Sequence, residues 1–420
     1  MSTEHGAFYK NAAWQYGLQF VKYLFPFITM PYLTRVLEPE GYAVYAYVAS
    51  FMLFVQTFVD FGFNLSGTKS IASARTVEEE NCAIGAVTQA RILLCLVAGA
   101  VVFVVALCIP ITASNLGYTL IAFVAVCGKA MAPDFVFQGH ENMAPITTRF
   151  FISKGVSTAL TFVCVHSVAD IIWVPVLDIL SSAIALVWSF VAAKRMFGTT
   201  IAWVPMRTVL RELRTSALYC FSNMAATAFS GFTTLLIGVV ISDTAQISYW
   251  SLAITAVGAI QSLYSPVINA LYPHMVKSGD FAFAKKLALV ALPALLAGTV
   301  AFALLSNVVM LVLGGEDYLA GSWVVAALSP LLFFGFYAML FGWPVLGAAG
   351  KVKEVAVTTA VSSFLCIVSL LVMSFAGLVS MLAICIIRDA TEFVFCATRV
   401  WCFYRLVGER RIDRQDCARS

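Results

Sequence analysis

The chain has 420 residues, of which 61% are hydrophobic and 11% charged, where a soluble domain carries roughly 25% charged residues. That balance, with a mean hydropathy of +0.90, excludes a soluble globular protein. The formal net charge of +4, from 26 basic and 22 acidic residues, is dispersed rather than gathered into a stripe, which excludes nucleic acid as a partner.

Hydropathy breaks the chain into runs near residues 13–34, 42–63, 90–110, 117–137, 148–167, 171–193, 216–241, 248–273, 287–313, 322–346, 355–376 and 379–404. At about 20 residues per membrane-spanning helix, these runs predict an all-α integral membrane protein with about 12 transmembrane helices. They leave only short connections and no room for a large soluble domain. The first run is long and lacks a small-residue cleavage site, so it is expected to stay in place as a span. The eleven cysteines lie mostly inside apolar runs, with no CxxC pair and no nearby His, and read as small membrane-core residues.

Basic residues test the count, because a missed or invented span scrambles their alternation between loops. With the N-terminus inside, the outer loops carry one basic residue, Arg35, against Glu38, Glu40, Asp170, Asp243, Glu316 and Asp317, while the inner side takes nearly all other Lys and Arg, Arg91, Arg149 and Lys154 among them. Both termini are therefore expected in the cytoplasm. The longest inner connection, residues 194–215, reads as a basic linker with a short interfacial helix carrying Arg207, Arg211 and Arg214. It divides the chain into an N-terminal lobe, 1–200, and a C-terminal lobe, 201–420.

The halves show a weak repeat. Asn11, Gln15, Gln19, Lys22, Pro26 and Thr29 share one face of the first span, as Ser216, Tyr219, Asn223, Thr227, Ser230 and Thr234 do on the seventh. A shift of 204 aligns Gln19 with Asn223, and a shift of 205 brings Gln56, Asp60 and Asn64 onto Gln261, Ser265 and Asn269. Such stripes either bond neighbouring helices or line a shared cavity. Their occurrence on corresponding helices favours two pseudo-symmetric six-helix lobes around a central cavity.

Ionisable residues deep in a span cost roughly 2.5–3.5 kcal/mol each, so each needs a partner or water. Lys22 has no acidic residue within helical reach. It either pairs across helices with Asp60 or Asp178, or faces a hydrated cavity, the reading we prefer. Lys129 lies inside the fourth span and Asp178 in the outer half of the sixth. On the twelfth, Arg388, Glu392 and Arg399 share a face, where Arg388 and Glu392 either neutralise each other or open to the cavity. Asp60 and Asp134 fall near helix ends, where capping or snorkelling is the simpler account. No GxxxxGK[ST] loop is present, and no HExxH motif or carboxylate pair suggests hydrolytic chemistry, so neither enzymatic chemistry nor a cofactor is expected. Outer loops of about four to eight residues count against a membrane glycosyltransferase or polymerase.

Four segments resemble a known family. Gln19–Pro26 with Pro31, Arg35 and Glu40-Gly41-Tyr42, then Asp60-Phe61-Gly62-Phe63-Asn64, then Pro133 through Phe137-Gln138-Gly139 with Glu141 and Met143, are similar to the opening, second helix and post-fourth-helix segment of Wzx-type polysaccharide flippases. Tyr264-Ser265-Pro266 and Tyr272-Pro273-His274-Met275 resemble its eighth. Glu38 stands where that family usually has Gly. The resemblance implies the multidrug/oligosaccharidyl-lipid/polysaccharide exporter fold in a bacterial inner membrane. It implies a substrate of oligosaccharide on undecaprenyl pyrophosphate, carried from the cytoplasmic to the outer leaflet by alternating access, with a polysaccharide polymerase and chain-length machinery as further partners. On this reading Lys22, Arg388 and Lys129 attract the pyrophosphate, and Gln15, Gln19, Asn223, Thr227 and Gln261 bond sugar hydroxyls. Asp60, Asp178 or Glu392 are the candidates for ion coupling. A peptidoglycan-precursor flippase and a cation-coupled drug exporter share the implied fold, the latter expecting a carboxylate-dominated cavity.

Overall fold

A computed structural model describes residues 2–417 except 242, 265–266, 269–270, 272–274 and 276–280, and the side chains of some helix residues, Gln15 and Ser230 among them, lie outside the description. Every one of the twelve hydropathy runs carries helix. Seven helical segments among the described residues are long and apolar enough to cross a membrane. Without water in the hydrocarbon core, a chain this apolar satisfies its backbone by helix.

Contacts divide the chain into two units, Met1–Gly231 and Phe232–Ser420. The first contains α1 (Ser2–Asp60), α2 (Phe63–Ser73), α3 (Val77–Cys108), α4 (Leu116–Ala130), α5 (Asp134–Gly139), α6 (Ala144–Cys164), α7 (Trp173–Phe197) and most of α8 (Met206–Val240). The division falls at Gly231, inside α8, whereas the sequence suggests the 194–215 connection. Arg207, Arg211 and Arg214 correspondingly form the opening turns of α8, continuous with the seventh apolar run, and not a separate interfacial helix.

The first two runs are joined in α1, whose only non-helical residue is Glu38 (φ 55, ψ 173). Pro39 disfavours helical backbone at the residue before it, and a positive φ with extended ψ is a region occupied almost solely by Gly, costing other residues roughly 1–3 kcal/mol. Glu38→Gly is therefore expected to stabilise the protein by about 1 kcal/mol, visible as a higher melting temperature in detergent with transport unchanged. An unchanged or lower melting temperature would remove the strain argument. At the other end of α1 the chain turns through Phe61 (φ 44) and Gly62 (φ 77). Gly62 is required there twice over, because a Cβ on it would also collide with Tyr219 of α8.

Polar side chains fasten this unit internally. Ser66 of α2 meets Glu212 Oε1 at 2.8 Å and Ser216 Oγ at 2.7 Å on α8, and Thr57 of α1 meets Thr227 at 3.1 Å. α7 packs against both α4 and α6. Gly198, with φ 71, ends α7 in the left-handed conformation common after a helix C-terminus.

The second unit holds the end of α8, α9 (Thr244–Ser262), α10 (Phe281–Leu304), α11 (Ser306–Leu313), α12 (Ser322–Ala327), α13 (Pro330–Leu340), α14 (Val352–Phe375) and α15 (Met381–Cys417). α15 packs against α13 and α14. Beyond α13 the helix widens over residues 341–347, where Gly342 (ψ −120) leaves helical backbone and Pro344 supplies no N–H.

Candidate functional site

Among the described residues three charge clusters lie in the interior, and net charge sets the first apart from the second. In the first unit, Lys154 of α6 donates to Asp178 Oδ1 of α7 at 2.8 Å, while Lys129 of α4 approaches Asp178 Oδ2 at 3.5 Å. Two ammonium groups thus share one carboxylate and leave an excess charge of +1. Their side chains keep 36%, 26% and 28% of their area accessible in the order Lys129, Asp178, Lys154. Tyr45 of α1 and Tyr118 of α4 lie within electrostatic reach of Asp178, and Ser182, one turn along α7, donates to the Asp178 carbonyl at 2.7 Å. The cluster can hold an anion between Lys129 and Lys154 while Asp178 keeps the two cations together.

The second cluster is balanced. Arg91 of α3, 2% exposed, lies 3.9 Å from Asp60 Oδ1, donates to the Ala132 carbonyl at 2.8 Å and sits over the Phe63 and Phe135 rings. Arg149 of α6 grips Asp134 through both terminal nitrogens and donates to Ser189 at 2.8 Å. Two arginines against two aspartates sum to zero, and these bonds tie the end of α1 and the turn between α4 and α5 to α3, and the start of α5 to α6. Asp60, a candidate for ion coupling, is thus held by Arg91, and Asp134 does more than cap its helix.

The third cluster belongs to the second unit. Arg388 and Glu392 of α15 form a buried intrahelical ion pair at 2.8 Å, which realises the self-neutralising alternative. Gln261 of α9 donates to the Leu331 carbonyl at 2.9 Å. Arg399 donates to the Ala338 carbonyl and to Thr359 Oγ1 at 3.0 Å, with Thr358 Oγ1 at 3.4 Å and the Phe395 ring 4.0 Å away. Its guanidinium lies where a Cβ on Gly342 would be, so the opened backbone and the arginine fit each other.

The remaining expected site residues sort by exposure. Lys22 and Gln19 of α1 and Asn223 of α8 are exposed, and Lys22 pairs with neither Asp60 nor Asp178, whose cationic neighbours are Arg91, Lys129 and Lys154. Thr227 is bonded to Thr57, as a stripe that joins helices requires. The side chain of Gln15 lies outside the described residues, as do Ser265 and Asn269 of the expected repeat and the Tyr272-Pro273-His274 stretch. Lys154 is the residue that sequence reasoning missed. It counts as an inner-side cation in the loop alternation although it lies six residues inside the fifth run, and that depth is the signal that should have set it beside Lys129.

The fold resembles those of solved α-helical membrane transporters. It matches an inward-closed structure of the lipid II flippase MurJ with TM-score 0.69 at 13% identity, covering 93% of this chain and 87% of that one. It also matches an inward-facing multidrug resistance MATE family transporter of the MOP superfamily with TM-score 0.64 at 13% identity, covering 93% and 96%. The family described as "Polysaccharide biosynthesis protein" matches residues 8–278, and the chain belongs to that family. Among curated relatives, a "Putative O-antigen transporter" of Escherichia coli (strain K12) is 27% identical over 283 residues, 66% of each chain. A protein of the same description from Shigella dysenteriae is 25% identical over 287 residues, 67% of this chain and 71% of that one. The match to the Escherichia coli protein thus spans just under two thirds of its length.

Proposed function

We propose that the protein is a flippase that carries oligosaccharide repeat units linked to undecaprenyl pyrophosphate from the cytoplasmic to the outer leaflet of a bacterial inner membrane. A pyrophosphate bearing hydrophilic sugars does not cross hydrocarbon unaided at tolerable cost, so the carrier needs a cationic, hydrated path. The observation that carries the reading is the excess charge of the Lys129–Asp178–Lys154 cluster. Family membership and the description of the relatives as O-antigen transporters support the same cargo.

In this reading Lys129 and Lys154 hold the pyrophosphate, with Lys22 as a further cation, while Gln19 and Asn223 bond sugar hydroxyls. Thr227, Gln261 and Arg388 take part only by exchanging their present bonds for bonds to the cargo, since each is already partnered. The lipid tail stays in the bilayer, and a change of conformation exposes the bound headgroup to each side in turn. The N-terminus faces the cytoplasm, as the basic residues require, and export proceeds toward polymerase and chain-length machinery.

Neutralising Lys22 then reduces transport without reducing the amount of protein, because the residue is exposed and outside the ion pairs. Full transport by Lys22→Ala at normal protein level would remove it from the path. The assignment itself is tested with purified protein in liposomes containing undecaprenyl-pyrophosphate-linked oligosaccharide. A membrane-impermeant oxidant should consume all the sugar when the protein is present and only the outer-leaflet half when it is absent. Equal protection in both would overturn the flippase reading.

A further inference from the structure

On the side of α6 and α7 opposite the Lys129–Asp178–Lys154 cluster, an open groove of about 900 Å³ is lined by Pro145 and Thr148 of α6 and by Ala183, Val187, Val191 and Arg195 of α7. The faces differ by helical phase: Val187 lies nine residues from Asp178 on α7 and Pro145 nine residues from Lys154 on α6, and nine steps of 100° are two and a half turns, which puts each pair on opposite sides of its helix. Small side chains create the recess, since Ala144, Ala183 and Ala192 sit among bulkier Val187, Trp188 and Met196. From Ala183 to Met196 the groove follows thirteen residues of α7, about 20 Å at 1.5 Å per residue. That matches one leaflet with its headgroup layer, half of a bilayer about 40 Å thick.

The two ends are chemically different. The Ala183 end is wholly apolar, whereas the Met196 end carries the Arg195 guanidinium, which is exposed and has no hydrogen-bond or ion-pair partner among the described residues. Apolar walls of leaflet length that finish at one unpartnered cation complement a molecule with the reverse pattern, long hydrocarbon ending in an anion. We propose that the groove is a binding site for one anionic phospholipid of the leaflet on the basic side, its chains along Val187 and Val191 and its phosphate on Arg195. The site faces away from the charge cluster assigned to the cargo, so it is a site for a resident lipid and does not depend on what the protein transports.

Native mass spectrometry of the intact protein, titrated with phosphatidylglycerol or with phosphatidylcholine of the same chains, tests this. The expected result is one tightly held phosphatidylglycerol, with its binding weakened at least fivefold both by Arg195→Ala, which removes the phosphate partner, and by Ala183→Trp, which fills the apolar end. Arg207→Ala, an exposed cation on α8, should leave binding unchanged. Equal retention of phosphatidylcholine, or undiminished phosphatidylglycerol binding in both groove variants, would overturn the proposal. So would displacement of phosphatidylglycerol by an equal amount of undecaprenyl phosphate, which would give the groove to the carrier lipid instead. Because no transport is measured, failure here leaves the flippase reading untouched, and failure of that reading leaves this site intact.

Discussion

Lys154→Met should lower transport at least tenfold while the protein still accumulates in the membrane. The substitution turns a cluster of charge +1 into the neutral pair Lys129–Asp178, which retains its 3.5 Å contact. At an effective dielectric of about 20, unit charges 4 Å apart attract by about 4 kcal/mol. Losing even a third of that for a pyrophosphate costs roughly the 1.4 kcal/mol that corresponds to tenfold. Asp178→Asn should behave differently, because it strands two ammonium groups in the span at roughly 2.5–3.5 kcal/mol each, and protein level should fall. Combining Lys154→Met with Asp178→Asn returns the cluster to +1 and should restore both level and much of the transport. Measuring headgroup translocation and membrane abundance for the three variants separates anion binding from simple stabilisation. If the double variant is folded but inactive, the excess charge is not the operative feature.

The second large effect is on stability, in the other unit. Arg399→Met should destabilise the protein by roughly 3 kcal/mol, since hydrogen bonds from a charged donor contribute about 1.5–3 kcal/mol each and orphaned buried acceptors add a desolvation cost. The substitution leaves the Ala338 carbonyl and the Thr359 hydroxyl without this donor beside the opened helix at Gly342 and Pro344. Arg399→Lys should not rescue it, because a single ammonium does not reproduce a planar fork reaching a carbonyl and a hydroxyl on different helices. A melting curve in detergent and the quantity of extractable protein are the readouts. Wild-type values for Arg399→Met would mean that the guanidinium is dispensable to the fold.

Much of the fold was legible because hydrocarbon is a severe solvent: twelve apolar runs predict helix, and helix occupies each of them. The breaks were less so. Nothing in composition distinguishes a loop around Glu38 from one helix bent at a single residue, and the difference depends on the backbone before Pro39. The segments that carry the family resemblance acquire a physical meaning in the structure. Glu38, Phe61 and Glu141, the non-glycine residues with positive φ among the described residues, all fall within them, so these motifs mark where the backbone turns and where Arg91 and Arg149 hold it.

The charged site was only half legible. Depth in a span singled out Lys129 and Asp178, but their pairing requires knowing that α4 and α7 are neighbours, which no periodicity within one helix contains. Lys154 was hidden by its usefulness to the loop count, and Arg91 and Arg149 likewise passed for solvated cations. Conversely, Arg388 and Glu392 stood four residues apart on one helix, and the intrahelical pair foreseeable from that spacing is the one the structure contains.

The most direct test of the central claim is to deplete the protein in its native host and determine which leaflet holds the lipid-linked repeat units, using a membrane-impermeant sugar-binding probe on intact and opened cells. The account predicts accumulation on the cytoplasmic face, detected only after the cells are opened. Accumulation on the outer face of intact cells would contradict it, because the blocked step would then follow translocation.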